Sequence, residues 1–103
     1  MSIVSIITVG NAKEAETIAK RLVEEKLAAC VNIIPSVKSI YRWNEKVEVG
    51  EEAMLLVKTK KESFDKIKKR VVELHSYEVP EIIALEIFDG LESYLEWISS
   101  NVD

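Results

Sequence analysis

Disulfide pairing, histidine-rich metal motifs and membrane-spanning runs are all missing from this chain of 103 residues. Its single cysteine, Cys30, excludes an intramolecular disulfide framework and any Cys-x-x-Cys motif. Its single histidine, His75, excludes a paired-histidine zinc signature. No Ser/His/Asp or Cys/His pairing is evident, so nothing supports a nucleophile–base pair and no enzyme is expected. Positive charge is also short. Lys and Arg number 14 against 18 Asp and Glu, and the net charge of −4 leaves no footprint for nucleic acid. The basic residues from Lys58 to Arg70 alternate with Glu62 and Asp65 and read as a solvated helix face. No apolar run approaches the roughly 20 residues that cross a bilayer, so no membrane association is expected. The first residues lack the basic, apolar and small-residue order of a secretion signal. What is present is 48% apolar and 31% charged, the composition of one globular domain over residues 1–103, expected in the cytoplasm.

The chain is organised around Ala28 to Lys60, which reads as two long strands joined by a tight turn near Asn44-Glu45-Lys46. The run from Cys30 to Trp43 is rich in Val, Ile, Tyr and Trp, which suit a pleated surface. It could reach roughly 45 Å, more than twice a usual strand. So small a domain cannot cover all of it, and Ile40, Tyr41 and Trp43 would project as exposed apolar surface. Pro35 cannot donate to a ladder and marks a bulge or an edge position. The return strand takes Val47 to Val49 and then Ala53 to Val57.

Before the hairpin, Ile3 to Val9 reads as a strand that is apolar on both faces. Asn11-Ala12-Lys13-Glu14 matches a capping box, with Glu14 reaching back to the cap. Ala15, Ile18, Ala19, Leu22 and Val23 continue a helix to about Lys26. After the hairpin, Thr59-Lys60-Lys61-Glu62 matches a second capping box. Phe64, Ile67, Val71 and Leu74 give a second amphipathic helix ending around His75. Glu81 to Phe88 reads as a fourth strand, and Leu91, Tyr94, Leu95 and Ile98 as a short third helix.

The order is therefore βαββαβ with a C-terminal helix, an α+β, ferredoxin-like sandwich with an antiparallel sheet. Two helices can cover only one face of strands that are apolar on both. Together with the overlong hairpin, this predicts an oligomer.

Polar chemistry is concentrated in His75-Ser76-Tyr77-Glu78-Val79-Pro80-Glu81, a loop between a helix and a strand. The imidazole suits Cu or Zn, and Glu78 or Glu81 could add oxygen ligands. The competing reading is that His75 caps its helix while Tyr77 packs. Cys30, in an Ala-Ala-Cys-Val context, reads as a buried small apolar residue rather than a thiolate. Tyr41 and Trp43 share one face of the hairpin, where subunit packing outweighs base stacking as their use.

Several stretches then carry a resemblance. Lys26-Leu27-Ala28-Ala29-Cys30-Val31-Asn32-Ile33-Ile34-Pro35, Ser39-Ile40-Tyr41-Arg42-Trp43, Lys58-Thr59, His75 through Ile82, and Tyr94-Leu95-Glu96-Trp97-Ile98 are together similar to the CutA divalent-cation tolerance family. The resemblance covers essentially the whole chain. It implies a ferredoxin-like subunit and a compact homotrimer like the PII-type signalling proteins. It also implies a role in the response to divalent metal ions, with copper binding and no catalytic reaction. This chain departs from the family in places. Glu45 stands where a glycine is usual, which suggests that Asn44 takes the positive φ, and Ser76 stands where proline is usual. Relatives proposed to bind copper carry a cysteine and a second histidine at the positions of about Ile7 and Leu74.

The expectation is a homotrimeric, non-enzymatic protein that binds Cu²⁺ or another divalent cation weakly, with no organic cofactor. His75 would ligate the metal, helped by Glu78 or Glu81. The alternative is a PII-like signalling or interaction module whose inter-subunit clefts bind a small anionic ligand or a partner protein.

Overall fold

In a computed structural model describing residues 1–103, the elements follow the expected order. They are β1 (Ser2–Val9), α1 (Ala12–Glu24), β2 (Cys30–Trp43), β3 (Lys46–Lys60), α2 (Phe64–Leu74), β4 (Ile82–Glu86) and α3 (Glu92–Ser100). The sheet is antiparallel throughout, in the order β2-β3-β1-β4, and the fold is α+β and ferredoxin-like.

Alternation along β1 and β3 decides where the core forms. Ile3, Ser5, Ile7 and Val9 stand opposite Thr59, Val57, Leu55 and Ala53, and all eight are buried. Against this face α1 lays Ala15, Ile18, Ala19 and Leu22, and α2 lays Ile67 and Val71. The two alanines bring the α1 backbone close to the sheet, as their size predicts. α1 ends in a Schellman arrangement: Leu27 N–H donates to the Leu22 carbonyl and Lys26 N–H to that of Val23, with Lys26 at φ 58°. Behind the sheet α3 sets Ile98 against Ala29 and Val102, and it lies along β3 and β1. No helix is long and apolar enough to cross a membrane.

The hairpin projects as its length predicts. The molecule measures 44 × 25 × 22 Å, and its radius of gyration of 14.1 Å exceeds the ~13 Å of a compact chain of this size. β1 stops opposite Ala53, so the outer part of β2 and β3 pairs only with itself. The register shifts between Ile34 and Val37, where Pro35 cannot join the ladder. At the tip Trp43 pairs with Lys46, and Asn44 and Glu45 both take positive φ, 49° and 64°. That pattern is the two-residue turn whose twist matches the strands. Asn44 was expected there; Glu45, a residue with a Cβ, joins it at a steric cost.

Three expectations change. β3 runs unbroken through Gly50, Glu51 and Glu52, because Ser39, Lys38 and Val37 of β2 pair with them and carry the ladder across the gap. Thr59 caps no helix: it stays in β3 and its hydroxyl donates to the Leu27 carbonyl at 2.6 Å. A 3₁₀ turn over Lys61–Ser63 leads into α2 without a side-chain cap. β4 is shorter than the run from Glu81 to Phe88, because β1 pairs with it only as far as Glu86.

Candidate functional site

α2 ends at Leu74, and His75 leaves it in extended conformation with its N–H still donating to the Val71 carbonyl. The imidazole turns inward and its side chain is fully buried. Nδ1 lies 2.9 Å from the Tyr77 amide nitrogen and accepts its proton, which puts the ring hydrogen on Nε2. Nε2 then donates to the Thr8 carbonyl at 2.7 Å, at the end of β1. Both ring nitrogens are spent on backbone. A metal ion could take Nδ1 only by displacing a buried amide proton, which would be left unsatisfied.

Glu14 holds the same loop from α1. Asn11 caps that helix as expected, accepting from the Glu14 amide at 2.8 Å. The Glu14 carboxylate does not return to the cap. Oε2 accepts from the Ser76 amide at 2.9 Å and Oε1 from the Ser76 hydroxyl at 2.8 Å, while Oε2 lies 3.7 Å from His75 Nδ1. Sequence reasoning missed this role, because Asn-x-x-Glu is by itself a complete capping signature. Ser76 supplies both donors, whereas a proline at this position would offer neither.

Tyr77 follows, its ring tilted 47° against the imidazole with centroids 4.7 Å apart. Its hydroxyl donates to Glu52 Oε2 at 2.9 Å. Burial, and then the bond to that carboxylate, push the phenol up to about 12. The loop and the hairpin are thereby tied across the end of the sheet.

Between them opens a cleft of about 600 Å³, walled by Tyr41 and Trp43 from β2, Glu52 from β3, and Tyr77, Glu78 and Glu81 from the loop. Of the three residues expected to hold a metal, Glu78 and Glu81 line this cleft, whereas His75 is buried away from its wall. No group of three His, Cys, Asp or Glu side chains converges anywhere in the chain. Tyr41 and Trp43, expected to serve subunit packing, face the cleft. Cys30 is half-buried at the start of β2, its Sγ 3.9 Å from Asn32 Oδ1 and beside Tyr94, rather than deep in the core. Ile7 and Leu74, the positions where the resemblance would have suggested further ligands, belong to the main core or pack against it.

Comparison with known proteins agrees with this architecture. Residues 3–101 match the family described as CutA1 divalent ion tolerance protein. A "Divalent-cation tolerance protein CutA" of Thermus thermophilus is 54% identical over 101 residues, which are 98% of each chain. A solved structure from that organism superposes with a TM-score of 0.97 at 52% identity over the full length of both. A structure of the "Periplasmic divalent cation tolerance protein CutA" of Archaeoglobus fulgidus gives 0.97 at 44% identity, again over the full length of both. "Protein CutA, chloroplastic" of Arabidopsis thaliana is 42% identical over 97% of this chain, which spans only 55% of that longer relative. The cellular address thus differs among relatives while the fold and the sequence core persist. On a match running from β1 to the end of α3, this chain belongs to the CutA1 divalent ion tolerance protein family.

Proposed function

We propose that the protein contributes to divalent-cation tolerance as a non-enzymatic homotrimer that binds metal ions weakly through cleft carboxylates. The observation that carries this reading is that Glu78, Glu81 and Glu52 share one cleft and none is ion-paired with a basic side chain. Relatives named for divalent-cation tolerance support the general role. In this reading His75 is not the ligand but the anchor that aims Glu78 and Glu81, since its lone pair is already used. Two or three separated carboxylates fill only part of a coordination sphere. Water or a neighbouring subunit completes it, affinity is low, and Cu²⁺ leads by the Irving–Williams order.

The trimer is supported by what the isolated chain leaves bare. Only 21 of 103 residues are buried. Ile40, Val47 and Val49 are exposed on one side of the hairpin, and Leu85, Phe88 and Leu91 at and beyond the β4 edge. Unpaired strand edges at both places invite further strands. The threefold number comes from the family resemblance.

Equilibrium dialysis of Cu²⁺, Zn²⁺, Ni²⁺ and Co²⁺ tests the reading, with native protein beside His75→Ala and a Glu78→Gln, Glu81→Gln double variant. Saturable Cu²⁺ uptake at a fixed ratio per chain, lost in the double variant, is expected. Equal uptake by native protein and double variant would sink it. Sedimentation equilibrium reads the assembly state of the same samples. A second reading, a signalling or interaction module whose inter-subunit clefts bind a ligand or a partner, is favoured by the cleft volume, which is that of a small-molecule site. Metal that fails to bind while an organic ligand or a partner does would favour it.

A further inference from the structure

We infer that His75 is a proton-operated switch: a second ring proton hands Nδ1 from the Tyr77 amide to the Glu14 carboxylate and releases the loop from Ser76 onward. The inference concerns how that loop is held. It stands whatever the cleft binds and whichever chain covers the hairpin.

The neutral state is complete as it stands. Nε2 donates to the Thr8 carbonyl at 2.7 Å, and Nδ1 accepts from the Tyr77 amide at 2.9 Å. No buried side-chain nitrogen or oxygen lacks a partner. Every group involved belongs to one chain, and the imidazole is fully buried within it.

A second proton can go only to Nδ1, where it turns an acceptor into a donor. Two N–H groups would then face each other across 2.9 Å, and the Tyr77 amide would lose its acceptor. Another partner stands close by. Glu14 Oε2 lies 3.7 Å from Nδ1, too far to bond the neutral ring. A small turn of the charged ring brings the two into a charge-assisted bond. The Nε2 proton goes to Thr8 in both states, so that bond is the pivot.

The groups around the ring favour this exchange. Glu14, from α1, is the one carboxylate within ion-pair reach of the imidazole, and it has no Lys or Arg partner. β1 presents the Thr8 carbonyl, and α2 the Val71 carbonyl, already bonded to the His75 amide. From the loop the Tyr77 phenol faces the ring, and Glu52 of β3 accepts the phenol proton. Glu14 Oε2 also holds the Ser76 amide, at 2.9 Å. Taking the ring proton weakens that bond as well, so the first two amides of the loop come loose together.

The test is hydrogen exchange at the Tyr77 amide, read by NMR on the full chain with the intrinsic pH dependence divided out. Histidine ordinarily changes charge between about pH 5 and 8, which sets the range. His75 is the one histidine of the chain, so its ring nitrogens report their own protonation in the same samples. As Nδ1 gains its proton, Tyr77 should lose roughly tenfold of its protection, the effect of one lost hydrogen bond. The Leu55 amide, in the interior strand β3, should keep its own. Glu14→Gln keeps the shape of the side chain without its charge and should need a distinctly lower pH for the same loss. Protection that holds at Tyr77 while the ring takes up its proton would overturn the proposal. A ring that stays neutral until Leu55 loses protection would also overturn it, as would a native profile in Glu14→Gln.

Discussion

The same two strands live in two different environments. In its inner half β3 alternates strictly, with Ala53, Leu55, Val57 and Thr59 sealed under the helices. In its outer half Lys46, Val47, Glu48 and Val49 are exposed on both faces. Composition does not separate the halves, since valines occur in each. Burial here is conferred by what packs on a strand, and α1 and α2 reach no further than the end of β1. Beyond that line the hairpin stands on its own ladder, its turn and the bond from Tyr77 to Glu52.

The strongest way to sharpen that contrast is a pair of truncations. Leu55→Ala opens a cavity in the inner half and should cost about 3 kcal/mol by denaturant unfolding. Val49→Ala removes an exposed side chain and should cost less than about 0.5 kcal/mol in an isolated chain. A loss of about 2 kcal/mol at Val49 would show that a second copy covers the outer half, as the proposed homotrimer requires, and a loss near zero would count against that assembly.

A smaller effect is expected at the junction. Ser76→Pro removes both donors to Glu14 and leaves that carboxylate beside His75 without its partners. The change should cost about 1–3 kcal/mol. Its diagnostic sign is faster hydrogen exchange at Tyr77, whose amide proton is held by His75. Unchanged exchange there would show that Glu14 does not hold the loop.

At the tip, Glu45→Gly relieves a Cβ at φ 64° and should raise stability by up to about 1 kcal/mol. No gain would mean that the turn changes shape when the residue is replaced.

The mildest probe is alkaline pH. Tyr77 has its ordinary value of 10.0 raised to about 12, so the folded state favours the protonated phenol. Its stabilisation is complete below pH 10.0 and is lost as pH climbs through about 12. Tyr77→Phe should flatten that part of the stability profile, and an unaltered slope would assign the loss to other groups.

These contrasts also mark what could be seen in the sequence. The bounds of β2 were legible because Val, Ile, Tyr and Trp run from Cys30 to Trp43 without a competing helical period. Asn11 was legible as a cap because capping is settled within one turn. The far oxygen of the same motif was not: Glu14 reaches Ser76 across 62 positions, and His75 reaches Thr8 across 67. Local chemistry gave His75 two free nitrogens, and only the closed sheet shows both taken. Glu78 and Glu81 were found as a pair for a sound reason, since they flank one loop. Glu52, their neighbour in the cleft, fell in the gap between Val47–Val49 and Ala53–Val57, the two parts expected of the return strand, and carried no signal of its own.

The turn at Asn44 and Glu45 bears on how the protein ages. Asparagine followed by glycine cyclises readily, because the bare following amide can attack the side-chain carbonyl. A glutamate after Asn44 hinders that attack, so the hairpin accepts a strained backbone at its tip and gains a longer chemical lifetime. Prolonged warm storage should leave Asn44 intact in the native chain and deamidate it in Glu45→Gly, as read by peptide mass spectrometry. Equal deamidation in both would refute this, and an easier turn would then carry no penalty in durability.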